Sequence, residues 1–203
     1  MTTPVSAETA DLTPESRPLA RVPAASAWWV LIAGVIGFVA SMTLTVEKIE
    51  LLLNPSYVPS CNINPIVSCG SVMVTPQASV LGFPNPLLGL VGFTVVSVTG
   101  VLAVTKVPLP QWYWAGLMVG VLIGTVFVHW LIFQSLYRIG ALCPYCMVVW
   151  AVTISLLVVV ATIAFRPPRV LYHWRWSIAT LWFTAVFLLI MVRFWNYWST
   201  LLT

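Results

Sequence analysis

A chain of 203 residues with 60% hydrophobic and only 7% charged residues lies far outside the composition of soluble domains, so lipid is the solvent for most of it. The formal charge of +4 invites an acidic partner, but the nine basic residues sit as short flanks of apolar runs instead of gathering on one accessible face. That distribution excludes nucleic-acid binding.

Residues 1–27 are rich in Pro, Thr, Ser and Ala, with Glu8, Asp11 and Glu15 balanced against Arg17 and Arg21, and read as a disordered cytoplasmic tail. A hydrocarbon core of about 30 Å needs roughly 20 apolar residues per helical crossing. Uncharged runs of that order are Trp28 to Val46, Leu87 to Thr105, Trp112 to Tyr137, Met147 to Phe165 and Trp176 to Val192. They predict an all-α integral membrane protein, a single transmembrane domain over 28–203 with helices at about 28–48, 86–106, 111–137, 143–165 and 176–198. The first run is too long for a signal peptide and no small-residue cleavage site follows it, so it reads as a retained helix. The last ends at Arg193, which can snorkel, and Trp195, Tyr197 and Trp198 beside it read as an interfacial belt.

With the tail cytoplasmic, the spans place Arg17, Arg21, Lys106, Arg166, Arg169 and Arg175 inside and leave Lys48, Arg138 and Arg193 at outer helix ends, as the positive-inside rule requires. The segment 51–84 is then extracytoplasmic. It contains no Lys, Arg, Asp or Glu and carries five prolines, at 55, 59, 65, 76 and 84, so it reads as a partly ordered cap on the outer membrane surface. The connections around Val107 to Pro110 and Arg138 to Gly140 are tight. Gly116, Gly120 and Gly124 form a small-residue stripe expected to let a neighbouring helix approach closely. His129, in the middle of the same run, reads as a hydrogen-bonded structural histidine or as a functional group. Trp28, Trp29 and Trp112 read as interface anchors.

All four cysteines, Cys61, Cys69, Cys143 and Cys146, fall on the extracytoplasmic side, where disulfides persist. Cys143-Pro-Tyr-Cys146 opens the fourth helix, where unsatisfied N–H groups and the helix dipole favour a thiolate; Pro144 suits a first helical turn. A two-residue spacer closes a readily reduced ring with little loop-closure stabilisation, which favours redox exchange over a static staple. Cys61 and Cys69 form either a plain staple or a second, mobile redox pair. A four-cysteine zinc site is the other option, although the spacing of the first pair is not that of a zinc ribbon. Four cysteines permit three pairings, and spacing does not choose among them.

Together the stretch from Cys61 to Met73 (Cys-Asn-Ile-Asn-Pro-Ile-Val-Ser-Cys-Gly-Ser-Val-Met), the following Phe83-Pro-Asn-Pro-Leu-Leu-Gly89, and Cys143-Pro-Tyr-Cys146 resemble the vitamin K epoxide reductase family, in particular its bacterial disulfide-forming members. The likeness spans roughly Trp28 to Trp198. It implies a four-helix bundle around a quinone pocket near the outer surface, capped by the loop, with an additional fifth helix. It also implies that Cys61 meets the reduced partner, that Cys69 forms the inter-pair disulfide with Cys143, and that Cys146 delivers electrons to menaquinone or ubiquinone. Asn85 matches a quinone-bonding asparagine, and Thr75 lies where a supporting hydroxyl is expected. As residues alone, Asn85 before Pro86 is also ordinary helix-cap chemistry and Thr75 before Pro76 an ordinary turn. Trp150, on the same helix face as Cys146, takes the place of a tyrosine common in animal vitamin K reductases, a departure that bears on whether an epoxide is a substrate.

The function expected is oxidation of an extracytoplasmic thioredoxin-fold (DsbA-like) protein with quinone as acceptor. Some relatives carry that fold fused after the fifth helix; this chain ends at Thr203, so the partner is expected to be a separate polypeptide. The alternatives are a reductase of vitamin K quinone or its epoxide, and a non-enzymatic membrane scaffold held by structural disulfides or zinc.

Overall fold

The computed structural model describes residues 20, 22–165 and 169–202. The helices are α1 (Ala24–Leu53), α2 (Cys69–Met73), α3 (Pro86–Val104), α4 (Gln111–Phe133), α5 (Pro144–Phe165), α6 (Arg169–Arg193) and α7 (Trp195–Leu202). A 3-10 turn at Pro76–Ser79 follows α2, and a wide π-helical turn at Gln134–Ile139 ends α4. Five helices, α1, α3, α4 with its wide turn, α5 and α6, are long and apolar enough to cross a membrane. The chain is therefore a multi-pass membrane protein.

Helix ends differ from the uncharged runs because a helix does not stop where hydrocarbon does. Arg17, Arg21, Arg166 and most of the expected tail lie outside the described residues, but Ala24 to Ala27 already belong to α1, with Ser26 and Ala27 buried. At its other end α1 runs on to Leu53 and carries Glu47, Lys48 and Glu50 within it. The fifth span starts at Arg169, well before Trp176, and breaks after Arg193.

Helix α1 packs on α3 and α5, and α4 packs on α5; α6 lies outside this group against α5. Val30, Phe93, Val96, Trp114, Leu156 and Val160 form the main apolar core between them. Close helix approach occurs between α1 and α3, not along α4. A Cβ on Gly100 would lie 2.6 Å from Leu31 N, and one on Gly34 2.8 Å from Ser97 N. By contrast, a Cβ on Gly116 or Gly120 would meet nothing within 4 Å. The expectation for the α4 stripe is thus overturned at Gly116 and Gly120, which line open space; at Gly124 a Cβ would only just meet Thr153 of α5, at 4.0 Å, and the close small-residue contact belongs to the first two spans.

His129 has a structural setting. Its Nδ1 lies 2.8 Å from Thr125 O, and Trp182 Nε1 of α6 donates to its Nε2 at 2.8 Å, a geometry that fits neutral imidazole. Arg193 donates from Nε to Leu136 O at 2.9 Å and so takes up a carbonyl of the wide turn at the end of the third span. Gly140 ends that turn at φ 72°, a left-handed conformation that favours glycine. Trp28, Trp29, Trp112 and Trp195 are exposed, as interfacial tryptophans are.

Candidate active site

Two backbone hydrogen bonds set the site. Leu142 N donates to Ile66 O at 2.7 Å and Ser68 N to Leu142 O at 2.9 Å, an isolated parallel bridge between Val67 and Leu142. Cys69 and Cys143 both follow the bridge closely, and their sulfurs meet at 3.0 Å. The segment before it is shaped by asparagines. Asn64 Oδ1 accepts from Ile66 N at 2.9 Å and Val67 N at 2.7 Å; Asn62 Oδ1 accepts from Gly70 N at 2.9 Å and Ser68 Oγ at 3.1 Å. These short side chains satisfy donors that a tight turn leaves open. They fold Cys61 back onto the start of α2, where it is disulfide-bonded to Cys69.

Cys143 and Cys146 are thiols, the first buried and the second half-buried. Pro144 opens α5, and Cys143 stands in the cap position before it, accepting from Cys146 N at 3.5 Å. The hydrogen bond from the Cys146 side chain is the largest influence on the Cys143 thiol and holds it below the usual thiol range, against burial, which pushes it up. Cys61, Cys69 and Cys143 sulfurs all lie within 4.8 Å of one another, a spacing that could hold a metal. With Cys61 and Cys69 oxidised, however, two of the three are not thiolates and cannot serve as zinc ligands in this state.

Two charged residues that the sequence pattern does not single out anchor the cap. Glu47, buried at the end of α1, accepts from Tyr57 Oη at 3.0 Å, Ser60 Oγ at 2.5 Å and Ser60 N at 3.3 Å, and so fixes the chain just before Cys61. The bond to Glu47 is also the first cause raising the Tyr57 phenol above its ordinary value. Lys48 donates to Met73 O at 2.6 Å and fixes the chain after Cys69. The sequence signal was present, since a Glu-Lys pair ends an apolar run, but Lys48 reads there as a flanking charge. Cys61 is only 5% exposed beneath this latch. In Glu47→Gln, with charge-assisted bonds weakened by about 1–3 kcal/mol, labelling of Cys61 in the reduced protein rises by roughly tenfold or more, and Tyr57 titrates nearer its ordinary value. Unchanged labelling would count against the latch.

Below the cysteines lies a cavity of about 580 Å³ between α3, α4 and α5, closed at the cap end by Lys48, Gln77, Asn85, Cys143 and Cys146. Its apolar walls include Phe93, Val96, Val128 and Trp150, and it continues along α4 past Gly124, Gly120 and Gly116 to Tyr113. Leu88, Gly92, Val95, Gly116 and Gly120 of its lining are exposed, so it is open on one side at the depth of the spans.

Asn85 borders this cavity, and its side chain does not cap α3. Instead Nδ2 donates to Gln77 O at 2.7 Å and Oδ1 accepts from Val80 N at 3.1 Å, pinning the 3-10 turn to the helix. Trp150 is buried in the cavity wall. Thr75 is elsewhere: its hydroxyl donates to Val72 O at 2.7 Å within its own turn, and it is not among the residues lining the cavity.

Comparison with curated proteins finds no match. The family model described as vitamin K epoxide reductase family matches residues 28–161, more than half of the chain and all four cysteines. The chain therefore belongs to the vitamin K epoxide reductase family, whose members are membrane oxidoreductases.

Proposed function

We propose that this protein oxidises a separate extracytoplasmic thioredoxin-fold protein and passes the electrons to membrane quinone, menaquinone or ubiquinone, and so supports disulfide formation. The observation that carries this reading is the 3.0 Å contact between Cys69, half of a disulfide, and the Cys143 thiol, whose neighbour Cys146 borders the cavity. A static staple has no need of a third sulfur in attacking position.

Each transfer is thiol–disulfide exchange. A partner thiolate attacks Cys61, breaks the Cys61–Cys69 bond through a mixed disulfide, and leaves both as thiols while the partner's own disulfide closes. With the inner pair oxidised, Cys69 thiolate then attacks Cys143; the Cys143–Cys146 bond breaks and Cys146 leaves as thiolate. Cys61 resolves the Cys69–Cys143 bond, restoring the outer disulfide and releasing Cys143. The arrangement in the structure, outer pair oxidised and inner pair reduced, is the state that follows.

Quinone, when bound, supplies the two-electron, two-proton acceptor that the inner thiols need to close their disulfide again. The residues fit such a group: the volume lies within the roughly 300–1,000 Å³ of small-molecule sites, the walls are apolar, and polar groups converge at one end beside Cys146. Asn85 spends one of its two amide N–H groups on Gln77, which leaves the other for a carbonyl oxygen. Trp150 walls the site, and the open side suits an isoprenoid tail. Thr75 supports this site only through the turn that leads to Asn85.

The test is quinone reduction by the protein in lipid vesicles, with a reduced thioredoxin-fold protein or dithiothreitol as donor. Wild type reduces quinone with both donors, and Cys61→Ala keeps only the dithiothreitol reaction. Absence of quinone reduction with either donor sinks the proposal. After mild reduction of the Cys61–Cys69 disulfide, impermeant thiol reagents applied to intact cells reach the cap cysteines without permeabilisation if the proposed orientation holds.

A further inference from the structure

Lys48 is 8% exposed, and its ammonium group has one hydrogen-bond partner, Met73 O. An ammonium carries three N–H donors. Among the described residues no carboxylate forms an ion pair with it, because the adjacent Glu47 is engaged by Tyr57 and Ser60. A buried cation without a counter-ion is costly. If its role were only to hold Met73, a neutral donor would serve at lower desolvation cost. Lys48 also borders the cavity at the end where Asn85, Cys143 and Cys146 converge.

We propose that Lys48 is a catalytic residue of the acceptor site: its unused N–H donors hold a quinone carbonyl oxygen, and its charge stabilises the negative charge that builds there as Cys146 gives up electrons. The assignment rests on the functional reading above. A fixed cation in a water-poor site acts on developing charge far more strongly than it would in solution. The site then has two donors of different kinds. Asn85 is neutral and locked to the cap turn, whereas Lys48 is charged and locked to the end of α2. Holding the same cap whose disulfide it lies beneath, Lys48 couples acceptor position to cap closure.

The experiment compares wild type, Lys48→Gln and Lys48→Arg, full-length in lipid vesicles, with a decyl-substituted benzoquinone. Binding to the oxidised protein is read by quenching of tryptophan fluorescence, since Trp112 and Trp150 both border the cavity. Turnover is read with dithiothreitol as donor. Glutamine keeps a neutral donor facing Met73, on a side chain one atom shorter, and removes the charge; arginine keeps the charge. The expected result is quinone affinity and kcat/KM lowered about tenfold or more in Lys48→Gln, with most of both retained in Lys48→Arg and cap thiol labelling unchanged in the two. Affinity and kcat/KM within twofold of wild type in Lys48→Gln overturn the proposal. So does equal loss in both variants with newly labelled cap thiols, which assigns Lys48 to the cap alone. Absence of quinone binding and turnover in wild type sinks the functional reading, and this one with it. A measurement on unmutated protein stands beside these: bound quinone slows acylation of Lys48 by a membrane-permeant amine reagent, and equal rates with and without quinone overturn the contact.

Discussion

Cys146→Ala lowers the rate of quinone reduction by at least about 10³-fold, because no other thiol both bonds Cys143 and borders the cavity. Absorbance of the quinone in vesicles gives the rate, and a loss smaller than tenfold would mean that electrons reach the acceptor another way. The same variant is expected to trap an intermediate. Cys143 remains 3.0 Å from Cys69, so exchange can still form Cys69–Cys143 and free Cys61; Cys146 can no longer open that bond, and alkylating Cys61 as it is freed blocks the return attack and holds the crosslink. Peptide mapping under non-reducing conditions detects that crosslink.

The pH response of the trap carries a sign. The Cys146 side chain is the largest cause holding the Cys143 thiol below its usual range. In wild type the Cys143 thiolate is therefore formed at lower pH than an ordinary thiol's, and is lost as pH falls through that lowered value. Without Cys146 the titration moves up, and crosslink formation in the variant requires more alkaline solution than the corresponding step in wild type. An unchanged midpoint would show that burial and the helix terminus set this thiol without its neighbour.

Gly100→Val lowers the stability of the folded protein, whereas Gly120→Ala leaves it intact. Even the first added carbon at 100 meets the α1 backbone at Leu31, 2.6 Å from its nitrogen, and backbone cannot rotate away. Overpacking of this kind costs about 1–3 kcal/mol, and the two further methyl groups of valine raise it. At 120 the added carbon enters open space. Thermal unfolding monitored by circular dichroism in detergent separates the two; equal stability would contradict the α1–α3 contact.

The spans were legible because lipid imposes a length and forbids charge, and a run such as Met147 to Phe165 has no soluble reading. Pro144 likewise marks the start of α5 by backbone chemistry alone. The grouping of cysteines at one end followed from span count and the placement of basic residues. What brings Cys69 against Cys143 was not legible, since it depends on a bridge between Val67 and Leu142 whose hydrogen bonds carry no side-chain signature. The glycines of α4 misled for a related reason. Small residues at four-residue spacing permit close approach but do not require it, and only the position of α3 decides whether a helix or a void faces them. Asn85 looked like a helix cap by its place before Pro86, yet its backbone is already helical and its side chain turns to the cap. Lys48 read only as a charge at a helix end and Glu47 carried no reading, because burial of adjacent opposite charges by two separate parts of a later loop leaves no trace in local pattern.

The open flank between α3 and α4 has a consequence for kinetics. If the acceptor enters there, it travels from bilayer to thiol without crossing water, and its supply is measured as a mole fraction in lipid, not as a concentration in solution. At a fixed concentration of the soluble donor, diluting vesicles with buffer should then leave turnover per protein unaltered, while diluting their quinone with phospholipid should slow it. The oxidising power that this protein can deliver becomes a property of the membrane around it.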